Sequence, residues 1–328
     1  MRVFVTGGTG HIGSAVVREL VRAEHAVAVL LRPTSQPSAL SGVLSQLTVI
    51  EGDLRNVQSL TPALRQFAPD VTVHLAWFGV TNNLQNDPRQ ISENLTGSLD
   101  LIELSAAAGA RTFVGLGSQA EYGRVDGVLT EDLPLRPLTT YGTVKTAVGL
   151  VGERLAVALG LRFVWLRLLA TYGPFDDPRH LIPFVIDQYL TGRIPELTPG
   201  EQVWDYLYVD DAVRALMSVV QSQQASGVYN LASGTGRSVA SIVTQIRDLV
   251  NPALPLGLGL RAYAENQIMH LRGDISRLTA STGWKPTTSF AAGLDETLVW
   301  HRNRLSVQIQ HGEDQPLASQ GAFHDPTS

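Results

Sequence analysis

The chain has no cysteine, which excludes a disulfide framework, a thiolate nucleophile and any cysteine-based metal site. It has no excess of positive charge: 25 Lys and Arg against 30 Asp and Glu leave a formal charge of −5. The basic face of a nucleic-acid binder is therefore not expected. No apolar run approaches the roughly 20 residues that cross a bilayer, and no internal repeat is visible. Glycine-rich structure starts at Met1 and leaves no room for a signal peptide, so the expectation is a cytoplasmic enzyme without membrane attachment. The 328 residues, 44% apolar and 17% charged, suffice for one large α/β domain or two modest ones, each with a full core.

The chain is organised around its first stretch, MRVFVTGGTGHIG. An apolar run, Val3 to Val5, ends in Thr6, and Gly7, Gly10 and Gly13 follow before an apolar-periodic segment. That order is strand, tight turn, helix. One glycine makes the turn, the next lets backbone N–H groups close on a pyrophosphate, and the last lets helix pack on strand. Gly7, Gly10, His11, Ile12 and Gly13 are the candidate phosphate-binding residues, at a helix N-terminus that favours negative charge.

A second strand, 25–31, ends at Leu31 and Arg32, where NAD-specific folds carry an acid for the ribose 2′-hydroxyl. A guanidinium pairs with a 2′-phosphate, so Arg32 points to NADP(H), with NAD(H) as the alternative and a solvated strand-end Arg as the bland reading. A third strand, 47–51, delivers Asp53 and Leu54 to the cofactor crevice; Asp53 accepts from the adenine amino group, caps the helix expected at 57–67, or does both. The fourth strand, 70–76, holds His74 as a core histidine and ends at Ala76. A polar loop over 78–89 precedes a helix at 91–108, whose Asn94 is either a buried support of the site or exposed.

The fifth strand delivers Ser118, Gln119 and Ala120 at its end. Tyr141 and Lys145 then open a helix at i and i+4, on one face and within one turn. An ammonium beside a phenol stabilises the phenolate and lowers the Tyr pKa towards neutrality, which makes Tyr141 a usable acid or base. A strand-end Ser can hold the substrate oxygen while the proton moves.

At this point the chain resembles the short-chain dehydrogenase/reductase superfamily in its extended branch, the NAD-dependent epimerase/dehydratase proteins that modify nucleotide sugars. The resemblance rests on Thr6 to Gly13, Glu51-Gly52-Asp53-Leu54, His74-Leu75-Ala76, Ser118 with Tyr122-Gly123, and Tyr141 with Lys145. It continues through Leu166-Arg167, Tyr172-Gly173-Pro174, Asp205 to Asp211, Tyr229 to Gly234 and Gly283 to Pro286. It implies that Tyr141 is the acid/base, Lys145 its charge partner and a ribose ligand, and Ser118 the donor to the substrate oxygen. It also implies a homodimer through the helices at 91–108 and 144–159.

Departures from the family pattern narrow the reading. The Asp-Glu pair of the sugar dehydratases is Gln119 and Ala120 here, which argues against dehydration. The Asn usual before Tyr-Gly-Pro is Ala170, and the Arg usual before Asp-Tyr is Trp204, which either stacks on a substrate ring or fills core space. Arg272, ahead of Asp274, remains for the substrate diphosphate. Asn94, Ser118, Gln119, Trp204 and Arg272 are thus the candidate substrate contacts.

The expected fold is a doubly wound parallel α/β sheet, the Rossmann arrangement, with a smaller C-terminal substrate lobe. Residues 1–170 form the dinucleotide domain, joined by elements around 203–232; 171–202 and 233–305 form the lobe, and 306–328 a loose tail. The expected activity is NADPH-dependent reduction of a nucleotide-linked 4-keto-6-deoxyhexose. The alternatives are a nucleotide-sugar 4-epimerase with tightly held NAD and, from another class, a non-catalytic NADP-binding regulator.

Overall fold

Val3 and Val5 on one face of the first strand and Phe4 on the other are all fully buried, the mark of a strand covered on both sides. The computed structural model describes residues 1–125, 127–264 and 267–310. In chain order its first half holds β1 (Arg2–Thr6), α1 (His11–Arg22), β2 (Ala26–Leu31), β3 (Thr48–Glu51), α2 (Thr61–Phe67), β4 (Val71–His74), α3 (Thr96–Ala107), β5 (Thr112–Ser118), β6 (Val128–Leu129) and α4 (Thr140–Ala158). There follow β7 (Arg162–Leu168), β8 (Ala170–Tyr172), α5 (Leu181–Leu190), β9 (Val203–Trp204), β10 (Tyr206–Tyr208), α6 (Val209–Gln221), β11 (Gly227–Leu231), β12 (Arg237–Ser238), α7 (Val239–Val250), β13 (His270–Gly273), α8 (Ser276–Thr282) and α9 (Phe290–Gln310).

Seven strands form one sheet in the order β11-β7-β5-β4-β1-β2-β3, and every neighbouring pair is parallel. Apolar clusters lie on both faces: one gathers Val3, Val5, Val16 and Leu216, the other Phe4, Phe113, Val148 and Trp165. The expected doubly wound sheet is therefore present. Strand order reverses between β1 and β4, and the crevice that opens there at the carboxyl ends is where such sheets bind ligands.

Two expected helices are interrupted. The segment expected as one helix at 57–67 is a 3-10 stretch, Leu54–Leu60, and then α2, because Asn56 leaves helical geometry at φ −139°, ψ 63°. The helix expected from 91 begins instead with a π-helical segment, Gln90–Leu95, before α3. Such wide turns cluster at functional sites, and this one carries Asn94. Helix α9 runs to Gln310, so residues 306–310 of the expected tail are helical, and the rest of that expectation, 311–328, lies outside the described residues.

The appended lobe is more discontinuous than expected. A four-stranded sheet, β12-β9-β13-β6, draws β6 from inside the dinucleotide half. Asp205, fully buried between β9 and β10, ties these pieces together. It accepts from the N–H groups of Ser233 at 2.7 Å, Gly234 at 2.9 Å and Gly273 at 3.2 Å, and from the Ser233 hydroxyl. Replacing Asp205 by Ala leaves three backbone donors unpaired, and the expected loss is about 3 kcal/mol, measurable by urea denaturation.

Candidate active site

The glycine loop builds the first wall of the crevice. Gly7 has φ +73°, and a Cβ there would lie 2.5 Å from the Ala76 nitrogen. A Cβ on Gly13 would lie 2.0 Å from the Gly7 carbonyl oxygen, so α1 rests directly on the loop. At Gly10 the nearest atom to such a Cβ is 3.5 Å away, and the space is open. Gly10 is the N-cap of α1, with no side-chain cap and no acid in the first turn. The first N–H groups of α1 are thus free for an anion. His11 Nδ1 donates to the Pro174 carbonyl at 2.8 Å, which pins the following loop against this one, and Ile12 is buried beneath it.

Arg32 is exposed at the end of β2, its N–H donating to Ser35 Oγ at 3.1 Å, and the preceding Leu31 is buried. Asp53 caps the 3-10 stretch: its carboxylate accepts from the Arg55 N–H at 2.9 Å and from the Arg55 guanidinium, and this pairing holds it below the usual carboxylate range. The capping alternative is thus realised. Leu54 follows it, packed where a side chain on Gly97 would be 2.6 Å from the Leu54 carbonyl oxygen. The Ala76 N–H donates to the Thr6 hydroxyl at 3.3 Å, which joins the ends of β1 and β4. His74 bridges Thr6 and Ser98 at 2.8 and 3.0 Å, and burial holds it down at about 3, so it is a neutral core histidine.

Ser118, Tyr141 and Lys145 converge. Ser118 ends β5, and its Oγ accepts from the Ala120 N–H at 3.1 Å, which frees the hydroxyl hydrogen. The Ser118 side chain stands beside the Tyr141 phenol and favours its ionisation, against the burial that opposes it. Thr139 caps α4 by accepting from the Gly142 N–H at 3.1 Å, and the Tyr141 N–H reaches the Gln85 carbonyl at 2.7 Å, so the polar loop is fastened to the start of the helix. Lys145 is almost fully buried; its ammonium donates to the Leu116 carbonyl at 2.6 Å and lies 3.4 Å above the centre of the Trp77 ring.

The direction of the titration differs from the expectation. Burial pushes the Tyr141 phenol up to about 12 and the Lys145 ammonium down to about 7. The ammonium is held on Leu116 and Trp77, 5.8 Å from the Tyr141 ring centre. Here desolvation outweighs the charge effect expected from the i, i+4 spacing.

Of the other candidate substrate contacts, Asn94 and Trp204 take the supporting and core places that the sequence left open for them. Asn94 is buried, accepting from the Phe78 N–H at 2.8 Å and donating to the Phe78 carbonyl and to Gln90 Oε1, so it supports the loop. Trp204 is 1% exposed, its ring 5.7 Å from that of Tyr206, so it belongs to the core and offers no stacking face. Gln119 is buried just beyond Ser118. Arg272 is exposed on β13, its Nε donating to the Gly234 carbonyl at 3.1 Å. Trp77 and Glu121 were not singled out by the sequence. An aromatic immediately after His74-Leu75-Ala76 and an acid immediately before Tyr122-Gly123 are the signals available for them.

Among the described residues no helix is long and apolar enough to cross a membrane, and no group of His, Asp and Glu could hold a metal ion. The model of the NAD dependent epimerase/dehydratase family matches residues 3–232. A dTDP-glucose 4,6-dehydratase of Streptomyces griseus is 30% identical over 326 residues, covering 93% of this chain and 95% of that protein. The solved UDP-glucose 4-epimerase of Thermotoga maritima, in complex with UDP-glucose, superposes with a TM-score of 0.84 at 25% identity, over 93% of this chain and all of that one. The UDP-glucose 4-epimerase of Thermus thermophilus, in complex with NAD, gives 0.82 at 27% identity, over 92% and 99%.

Lys145 titrates near 7 in place of its ordinary 10.5. Between those pH values the unfolded chain binds a proton that the folded chain does not, so stability rises with pH across that window. Lys145→Met is therefore expected to be more stable than the parent at pH 7, with the difference closing towards pH 10.5; urea melts at both pH values check this.

Proposed function

The chain belongs to the NAD-dependent epimerase/dehydratase family, and we propose that within it the chain is an NADPH-dependent ketoreductase acting on a nucleotide-linked 4-keto-6-deoxyhexose. It is an NAD(P)-dependent enzyme of the extended short-chain dehydrogenase/reductase type. The observation that carries the finer reading is the end of β2, where exposed Arg32 follows buried Leu31 and offers a 2′-phosphate a cation, with no acid at the strand end itself and Asp53 within electrostatic reach. Gln119 and Ala120 in place of an acid pair argue against dehydration.

The glycine loop, the uncapped start of α1 and Arg32 would hold the dinucleotide, with Asp53, Leu54 and Ala76 lining its crevice. The nicotinamide, when bound, supplies the hydride. Tyr141 holds the proton for the ketone oxygen, and Ser118 donates a hydrogen bond to the same oxygen. Lys145 carries the charge that favours the phenolate, which requires its ammonium to be hydrated or ligated, because burial alone drives it towards the neutral amine. Arg272 is the cation available to the substrate diphosphate.

The second reading, a 4-epimerase that recycles bound NAD, is favoured by the two 4-epimerase structures above. Oxidation of NADPH and of NADH by the purified protein with a nucleotide 4-keto-6-deoxyglucose separates the two. Sustained oxidation favouring NADPH is expected. Arg32→Ser should erode that preference about tenfold, and Tyr141→Phe should lower turnover roughly a hundredfold or more with cofactor binding kept. No net oxidation, with NAD bound to the protein as purified, selects the epimerase.

The active form is proposed to be a homodimer through α3 and α4. Leu150, Val151 and Val157 on α4 are 52%, 48% and 68% exposed, an apolar stripe that a second copy would cover. Sedimentation velocity is expected to give twice the chain mass, and Leu150→Glu with Val157→Glu to give the monomer.

A further inference from the structure

Beneath Ser118 lies a carboxylate that the reaction itself does not use. Glu121 is fully buried. Its Oε1 accepts from the Ser118 N–H at 2.9 Å and from Trp165 Nε1 at 2.9 Å, and its Oε2 accepts from Arg167 Nε at 2.8 Å. With the Ser118 side chain capping the same turn in return, the two residues form a reciprocal capping box. The chain makes room for this carboxylate with glycines: a Cβ at Gly117 would stand 2.4 Å from Glu121 Oε1 and 2.4 Å from Trp165 Nε1, and one at Gly149 would stand 2.9 Å from Trp165 Nε1. Both oxygens are occupied and shielded from solvent, so Glu121 cannot replace the missing acid pair of the dehydratases.

We propose that Glu121 is a positioning residue for this site: its one buried carboxylate fixes Ser118 at the strand end and presents the negative charge that Tyr141 and Lys145 face. The proposal rests on the reading of Ser118, Tyr141 and Lys145 as the reaction centre. The charged and titratable groups around the carboxylate are Arg167 from β7, Tyr122 from its own turn, and Tyr141 and Lys145 from α4, with Glu131 beyond Tyr122 and Arg167. On its far side Lys145 faces His74 from β4, which stays neutral. Glu121 acts on both members of the pair in the same sense, favouring the protonated phenol and the protonated amine. It thereby opposes the burial that drives Lys145 neutral, and it holds the proton on Tyr141 that a general acid must deliver.

The chain offers a direct readout. Lys145 and Lys285 are its only lysines, and Lys285 is exposed. Labelling the full-length protein with [ε-13C]lysine therefore gives two side-chain signals, assigned with Lys285→Arg, whose midpoints report each ammonium. In Glu121→Gln the Lys145 midpoint is expected to fall by about one pH unit, with Lys285 unmoved, while Glu121→Asp, which keeps the charge, restores it towards the parent. The double variant Glu121→Leu with Arg167→Met removes both charges of the buried pair without leaving either unpaired and should show a smaller fall of the same sign. A Lys145 midpoint unmoved in either folded variant overturns the proposal. Loss of near-ultraviolet circular dichroism in both overturns it too, since Glu121 is then a folding requirement. The signals are read without substrate or cofactor, so absence of NADPH oxidation, which would sink the reductase reading, leaves this result standing.

Discussion

The contact between Gly13 and the Gly7 carbonyl decides more of this molecule than any other. Because no side chain separates them, α1 begins immediately above the end of β1, and its unpaired N–H groups look into the crevice where the strand order reverses. Moving α1 outward by the width of one methyl group would separate it from β1 and from α6, which packs beside it. The anion-binding geometry and the packing of one helical layer thus depend on the same approach.

Around the reaction centre the governing balance is between desolvation and charge. Tyr141 and Lys145 are close in sequence and on one helix face, yet burial shifts them apart, towards neutral phenol and neutral amine. The site sits on two buried ion-pairing residues, Glu121 and Arg167, in place of the apolar filling expected beneath a strand end. Such pairs add little net stability, because the cost of taking them out of water consumes most of the attraction. Their retention here makes better sense as a fixed local field than as a brace.

The layers of the fold were legible because they depend on short-range pattern. Continuous apolar runs gave the buried strands, glycine spacing gave the first turn, and the i, i+4 pair placed Tyr141 and Lys145 on one face. Less legible was whatever depends on an environment assembled from distant segments. The break at Asn56 and the wide turn at 90–95 follow no local rule. Trp204 reads as a core residue or a ring platform until its neighbours from β10 and β13 are known. The direction of the Tyr141 and Lys145 shifts depends on burial by Trp77 and Leu116, which spacing alone does not reveal.

The small sheet of the lobe has a consequence for how the molecule comes into being. Its strand β6 emerges early from the ribosome, but its partner in that sheet among the described residues, β13, emerges near the end. Until β13 is made, β6 lacks its strand partner and Asp205 lacks its Gly273 donor. The seven-stranded sheet, whose last strand in the chain is β11, can complete its parallel pairings while the small sheet cannot, so the order of synthesis favours the large sheet first. A nascent chain held short of β13 would therefore carry the seven-stranded sheet before it could close the smaller one.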